Sequence, residues 1–204
     1  LAVSADGRQL VSASIDRSIK LWDLAIQLPL RDVGRHNDMA RAALILPGGN
    51  RVLSAGDDGM IATWSLADGR MERAFDAKEH GSVRSLAVSD DGQLAASGHQ
   101  SGAVIVWDLG QGTRRHVLTG HMWRVNGIAV SADGRWLLTG DIDGEIMTWD
   151  VETGALVRRW RGHERGVYGA GWLADGKRAV TASGDGLLKL WDTQTGTELR
   201  RYSG

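Results

Sequence analysis

Five tryptophans recur along the chain in nearly the same company and at nearly the same interval. They are Trp22, Trp64, Trp107, Trp149 and Trp191, spaced by 42, 43, 42 and 42 residues, and they stand in the runs KLWD, ATWS, VWD, TWD and KLWD. So constant a step means one structural module copied five times. No other feature constrains the fold as strongly, because every copy must fold alike and bury its apolar faces against its neighbours. A repeat of about 40–45 residues has the length of four short strands and their turns.

The rest of each unit repeats at fixed distances from its tryptophan. A histidine stands 28 residues before Trp64, Trp149 and Trp191 (His36, His121, His163) and 27 before Trp107 (His80). Ser12, Ser54, Ser97, Thr139 and Thr181 lie ten residues before their tryptophans. An acid lies six before four of them (Asp16, Asp58, Asp143, Asp185), with Ser101 in its place in the third copy. Ala-Asp-Gly or Asp-Asp-Gly turns recur at 5–7, 90–92, 132–134 and 174–176, with Pro47-Gly48-Gly49 in the second copy. Between these turns the apolar residues alternate with period two. In Ser18–Asp23, for example, Ile19 and Leu21 face one side and Lys20 and Trp22 the other. Glycine-bearing turns every 8–12 residues indicate antiparallel hairpins and an all-β chain.

Composition narrows the function. The 204 residues carry 24 Lys plus Arg against 25 Asp plus Glu. That balance disfavours a protein devoted to nucleic-acid phosphate or an anionic membrane, both of which call for a basic excess. With no cysteine there is no disulfide framework, thiolate metal site or cysteine nucleophile. Absence of cysteine fits either redox compartment, so the location stays open, with the cytoplasm as default. No apolar run reaches the roughly 18 residues of a spanning helix.

Together the Gly-His pairs (Gly120-His121, Gly162-His163) and the Trp-Asp pairs resemble the WD-repeat (WD-40) β-propeller family over essentially the whole chain. The resemblance implies five four-stranded antiparallel blades, at about 1–34, 35–78, 79–119, 120–161 and 162–204. It also implies a hydrogen-bonded tetrad in each complete blade: His36/Ser54/Asp58/Trp64, His121/Thr139/Asp143/Trp149 and His163/Thr181/Asp185/Trp191. The third blade keeps His80, Ser97 and Trp107, but with Ser101 replacing the acid its network is expected to be weaker. In such a relay the hydroxyl accepts from the indole N–H and donates to histidine, which donates to the carboxylate. By register the chain opens inside a first strand and stops one residue before another histidine is due. The expectation is therefore an internal stretch of a larger protein, an open arc of a ring of seven.

Other constellations carry less. His121, Thr139 and Asp143 are the residue types of a catalytic triad, yet the trio recurs in two other copies, whereas an enzyme needs one site. Asp141-Ile142-Asp143-Gly144-Glu145 gathers three carboxylates, but its glycine is misplaced for an EF-hand loop and no helices flank it. His99 and His116 are the histidines outside the repeat, and no metal site is expected. Gly166–Gly171 opens a strand, so it offers no helix N-terminus to a phosphate. The Arg114-Arg115, Arg158-Arg159 and Arg200-Arg201 pairs fall on outer strands, where charge protects the edge.

The resemblance places partner contacts on the loops before each first strand and between the second and third strands. The positions are Ile15; Met39, Arg41 and Asp57; Ser82, Arg84 and Gln100; Arg124, Asn126 and Ile142; and Gly166, Tyr168 and Gly184. Trp123 lies outside the regular tryptophan register. Arg41, Arg84, Trp123, Arg124, Asn126 and Tyr168 are the candidate binding residues, since Trp, Tyr and Arg predominate at binding hot spots. The expectation is a non-catalytic scaffold for a protein or peptide, with no cofactor and no membrane contact. An RNA-binding propeller, or the propeller domain of an enzyme whose catalytic part lies elsewhere, is the alternative.

Overall fold

The computed structural model describes residues 1–26 and 28–203, with Leu28 and Pro29 placed through their backbone alone. Gly204, the last residue of the fifth expected blade, lies outside the described residues. Among the described residues, twenty strands form five four-stranded antiparallel sheets. The first holds β1 (Ala2–Val3), β2 (Gln9–Ala13), β3 (Ser18–Asp23) and β4 (Leu28–Arg35). The second holds β5 (Ala40–Ile45), β6 (Arg51–Gly56), β7 (Met60–Ser65) and β8 (Met71–Asp76), and one 3-10 turn follows at Lys78–His80. The third holds β9 (Val83–Val88), β10 (Leu94–His99), β11 (Val104–Asp108) and β12 (Thr113–Leu118). The fourth runs through β13 (Val125–Val130), β14 (Trp136–Asp141), β15 (Glu145–Asp150) and β16 (Leu156–Arg161). The fifth comprises β17 (Val167–Trp172), β18 (Arg178–Ser183), β19 (Leu187–Asp192) and β20 (Thr197–Ser203). No helix among the described residues is long and apolar enough to cross a membrane.

The first hairpin of several sheets is built by one local device. Ser4, Ser89 and Ser131 each donate to an aspartate two residues on (Asp6, Asp91, Asp133), and each hydroxyl accepts a backbone N–H from the strand that follows. The aspartate in turn accepts the N–H of Arg8, Gln93 or Arg135. A glycine at φ near +70° (Gly7, Gly92, Gly134) completes the reversal, in a region that costs a side chain about 1–2 kcal/mol. The Ser-x-Asp-Gly string thus closes the turn through contacts no more than five residues apart.

The chain divides into two compact units, Leu1–Leu86 and Ala87–Gly204. In the first, Val11, Ile19 and Leu21 of sheet 1 lie against Val52, Ala62 and Trp64 of sheet 2. In the second, Ala96, Val104 and Val106 of sheet 3 meet Leu137, Met147 and Trp149 of sheet 4. Leu138 and Ile146, on the other face of sheet 4, meet Val167, Ala179 and Trp191 of sheet 5. These residues are fully or almost fully buried. Period-two alternation within each strand lets one sheet serve two interfaces.

Candidate functional site

Every module joins its tryptophan to its second strand by a hydrogen bond. Trp22, Trp64, Trp107, Trp149 and Trp191 donate Nε1–H to Ser12, Ser54, Ser97, Thr139 and Thr181 at 2.7–2.9 Å. In sheet 2, His36 Nε2 lies 2.8 Å from Ser54 Oγ and Nδ1 3.0 Å from Asp58 Oδ1. In sheet 5, His163 Nε2 lies 2.7 Å from Thr181 Oγ1 and Nδ1 2.9 Å from Asp185 Oδ2. Burial pushes the His163 ring below its ordinary value. It also opposes ionisation of Asp185, but the His163 hydrogen bond and the N–H groups of Leu187 and Glu164 outweigh that and bring the carboxyl to about 2. An indole N–H can only donate and a carboxylate only accept, so the relay runs from indole to hydroxyl, from hydroxyl to Nε2, and from Nδ1–H to Asp185.

Sheet 4 departs from the repeat. His121 Nε2 is 2.8 Å from Thr139 Oγ1, but its Nδ1 is 2.9 Å from Asp141, not Asp143. Asp143 is exposed and pairs with Arg161 at 3.0 Å, so its assignment to the tetrad is corrected. The reason is strand geometry: Asp141 stands two residues after Thr139 and shares its face, whereas Asp143 lies in the turn. The corresponding residue of sheet 2 is Gly56, where a Cβ would come 2.9 Å from His36 Nδ1, so the carboxylate there must come from the turn.

Sheet 3 uses the same i+2 position differently. His99, two residues after Ser97, puts Nε2 2.8 Å from Ser97 Oγ, and Trp107 bonds that hydroxyl from its other side. His80, the repeat histidine, has Nε2 3.2 Å from Glu79. The expected weak point is thus filled by a histidine that the repeat pattern leaves unassigned.

Above these relays, backbone bonds tie the two loops at the end of a sheet together. Asp57 N–H donates to Met39 O, Ile142 N–H to Arg124 O, and Gly184 N–H to Gly166 O, at 2.8–3.2 Å. Adjacent loops also touch: a Cβ on Gly144 would lie 2.2 Å from His163 O, and one on Gly102 2.4 Å from His121 O. Glycine is required there because the next loop crosses directly over the turn.

Three candidate binding residues turn out to be bulge residues. The pairing register slips between Ala40 and Ala42, between Val125 and Gly127, and between Val167 and Gly169, leaving Arg41, Asn126 and Tyr168 as the extra residues. A bulge re-aims the side chain it carries. Arg41 forms a bidentate pair with Asp57, and Arg84 Nη1 lies 3.6 Å from the same carboxylate, which these cations hold below its ordinary value. In the second unit Trp123 is 55% and Tyr168 59% exposed, and the Tyr168 ring lies across Gly184. Arg124 and Asn126 are half-buried. Met122, 83% exposed beside Trp123, joins this surface without any repeat signal to reveal it.

Among the described residues, one group has metal-ligand chemistry. His121, Asp141 and Glu145 bring three ligand atoms within 4.8 Å of one another. Asp141 Oδ1 already accepts the N–H groups of Asp143 and Glu145, and Glu145 lies 3.5 Å from Arg159 Nε. Rim arginines elsewhere have acidic neighbours too, Arg115 with Glu152 and Arg201 with Glu198.

The family profile described as "WD domain, G-beta repeat" matches residues 1–23, 72–108, 112–150 and 154–192, more than half of the chain. The chain belongs to the WD-repeat family. Its five sheets are WD-repeat β-propeller blades. Among relatives of this WD-repeat chain, human "Cilia- and flagella-associated protein 52" is 26% identical over 121 residues, 59% of the chain and 19% of that protein. The Schizosaccharomyces pombe "Shk1 kinase-binding protein 15" is 29% identical over 119 residues, 57% of the chain and 35% of the relative. "Guanine nucleotide-binding protein subunit beta" from Zea mays is 28% identical over 112 residues, 52% and 30% of the two chains. Each match thus spans about a third or less of the relative's own length.

Proposed function

We propose that this WD-repeat chain is a non-catalytic scaffold that binds a protein or peptide on the loop surface at the ends of its blades, for complex assembly or signalling. A protein-interaction role in general has the support of the family and of its relatives. The observation that carries the finer reading is the exposure of Met122 and Trp123 on a loop, and of Tyr168 at a strand bulge, where backbone bonds pin the chain to the adjoining turns. Large apolar side chains on a fixed backbone bind with little loss of loop entropy. Arg124 beside them adds polar anchoring, and the first unit, taken by itself, carries the Arg41–Asp57–Arg84 cluster on its own loop ends. Two relatives are named for a kinase-binding protein and a G-protein subunit, which fits assembly as the general role.

The test compares capture of proteins from source-cell extract by the immobilised chain, its Trp123→Ala variant and the Arg84→Ala/Arg124→Ala double variant. Both variants are expected to melt within a few degrees of the parent and to lose most of the captured partner. Undiminished capture by both removes this surface as the binding site.

A further inference from the structure

We propose that His121, Asp141 and Glu145 form a binding site for one divalent transition-metal ion of the zinc type, at the loop end of the fourth sheet. The proposal does not rest on the partner-binding surface described above.

Sheet 4 departs from the repeat where the site is built. In sheets 2 and 5 the relay histidine is served by one carboxylate from the turn, Asp58 or Asp185. Sheet 4 keeps the turn acid, Asp143, yet gives His121 a different carboxylate in Asp141 and brings up a further one in Glu145. The places of Asp141 and Glu145 are held by Gly56 and Met60 in sheet 2 and by Ser183 and Leu187 in sheet 5. One acceptor completes a relay, so Glu145 exceeds what the tetrad needs. The side chains of His121 and Asp141 are 0% and 1% exposed and that of Glu145 27%. Two carboxylates so close in a mostly buried site repel each other, and a cation between them relieves that.

Each ligand is also held by its outer polar atom. His121 Nε2 is 2.8 Å from Thr139 Oγ1, Asp141 Oδ1 accepts the N–H groups of Asp143 and Glu145, and Glu145 Oε1 lies 3.5 Å from Arg159 Nε. Arg159 is fixed in turn by its 2.7 Å bond to Gly120 O. Outer contacts of this kind orient the ligands of protein metal sites. The inner atoms are His121 Nδ1, 2.9 Å from Asp141 Oδ2 and 4.0 Å from Glu145 Oε2. Zinc holds such ligands at about 2.0–2.2 Å, which sets neighbouring ligand atoms about 3–3.5 Å apart in a tetrahedron. Only the partly exposed Glu145 has to close in.

The imidazole must then present a lone pair at Nδ1. Without the ion, Nδ1–H donates to Asp141; with it, the ring proton sits on Nε2 and donates to Thr139. Thr139 Oγ1 lies 3.4 Å from Met147 O, so its hydroxyl proton has a second acceptor to turn to. Accepting from Trp149 and His121 while donating to Met147 uses the full capacity of a hydroxyl, and no proton enters or leaves the site. An imidazole among the ligands favours a transition ion over calcium or magnesium, which take oxygen ligands. Three protein ligands leave a fourth position for water. Bound there, the ion ties the loop that begins at His121 to the turn between β14 and β15.

Calorimetric titration of the chelator-treated full chain with zinc chloride tests this, alongside Glu145→Gln and Asp143→Asn. The parent should bind one zinc ion, show visible absorption when cobalt(II) replaces zinc, and melt at a higher temperature with zinc than without. Glu145→Gln changes a partly exposed residue and should keep the parent's circular dichroism. It should lose zinc affinity at least tenfold, together with the melting shift. Asp143→Asn, which removes the carboxylate that the geometry leaves outside the site, should bind zinc like the parent. A parent that binds no zinc would overturn the proposal. So would affinity undiminished in Glu145→Gln, the mark of adventitious capture by other histidines, or a loss in Asp143→Asn equal to that in Glu145→Gln.

Discussion

Replacing Asp141 or Asp143 by alanine separates the repeat pattern from the geometry. The repeat spacing predicts that Asp143 is the costly residue to lose; the structure predicts Asp141. The Asp141 carboxylate is 1% exposed, lies 2.9 Å from His121 Nδ1, and accepts the N–H groups of Asp143 and Glu145 at 2.9 and 3.1 Å. Truncation leaves a buried imidazole group without its acceptor, a loss of about 1–3 kcal/mol. The two turn amides adjoin the exposed Asp143 and can recover water, so each adds about 0.5–1 kcal/mol. The total is about 3 kcal/mol, or roughly 6–12 °C in melting temperature for a domain of this size. Asp143 makes an exposed ion pair with Arg161 at 3.0 Å, and surface pairs contribute about 0–1 kcal/mol. Thermal and urea denaturation of Asp141→Ala, Asp143→Ala and the parent measure the difference. If Asp143→Ala loses as much stability as Asp141→Ala, the reasoning from strand-face geometry is wrong.

Two further outcomes follow from the relays. His99→Ala should cost about 1–3 kcal/mol by stripping a buried partner from Ser97, whereas Ser101→Asp, which restores the repeat acid, should bring no comparable gain; urea midpoints of the two variants decide it. Stability should also fall on acidification in two ranges. Below about pH 6.5 the unfolded chain takes up a proton that the buried, pKa-lowered His163 resists. Between about pH 3.8 and 2, Asp185 and the turn aspartates Asp16 and Asp175, whose carboxyls are drawn down to about 2, lose their contribution. Melting temperature against pH, compared with Asp185→Asn, should show a shallower acid limb in the variant.

The recurring Trp, Ser/Thr and Asp-Gly positions were legible in the chain as letters because they act locally. A hydroxyl ten residues before an indole meets it across one hairpin, and a Ser-x-Asp-Gly turn closes on its own backbone. Those short-range bonds determine all-β modules and their number. Distance along the chain served less well for contacts that depend on which face a side chain takes. Asp141 and His99 reach their relays because they stand two residues beyond Thr139 and Ser97, a relation hidden behind the stronger signal of the turn position. Arg41, Asn126 and Tyr168 were readable as loop-adjacent residues, but only strand pairing turns them into bulges. Exposure was decided at the tertiary level alone. Ile146 and Leu188 are near-identical residues at the same repeat position, one covered by the indole face of sheet 5 and the other facing solvent, because burial depends on what a neighbouring sheet supplies.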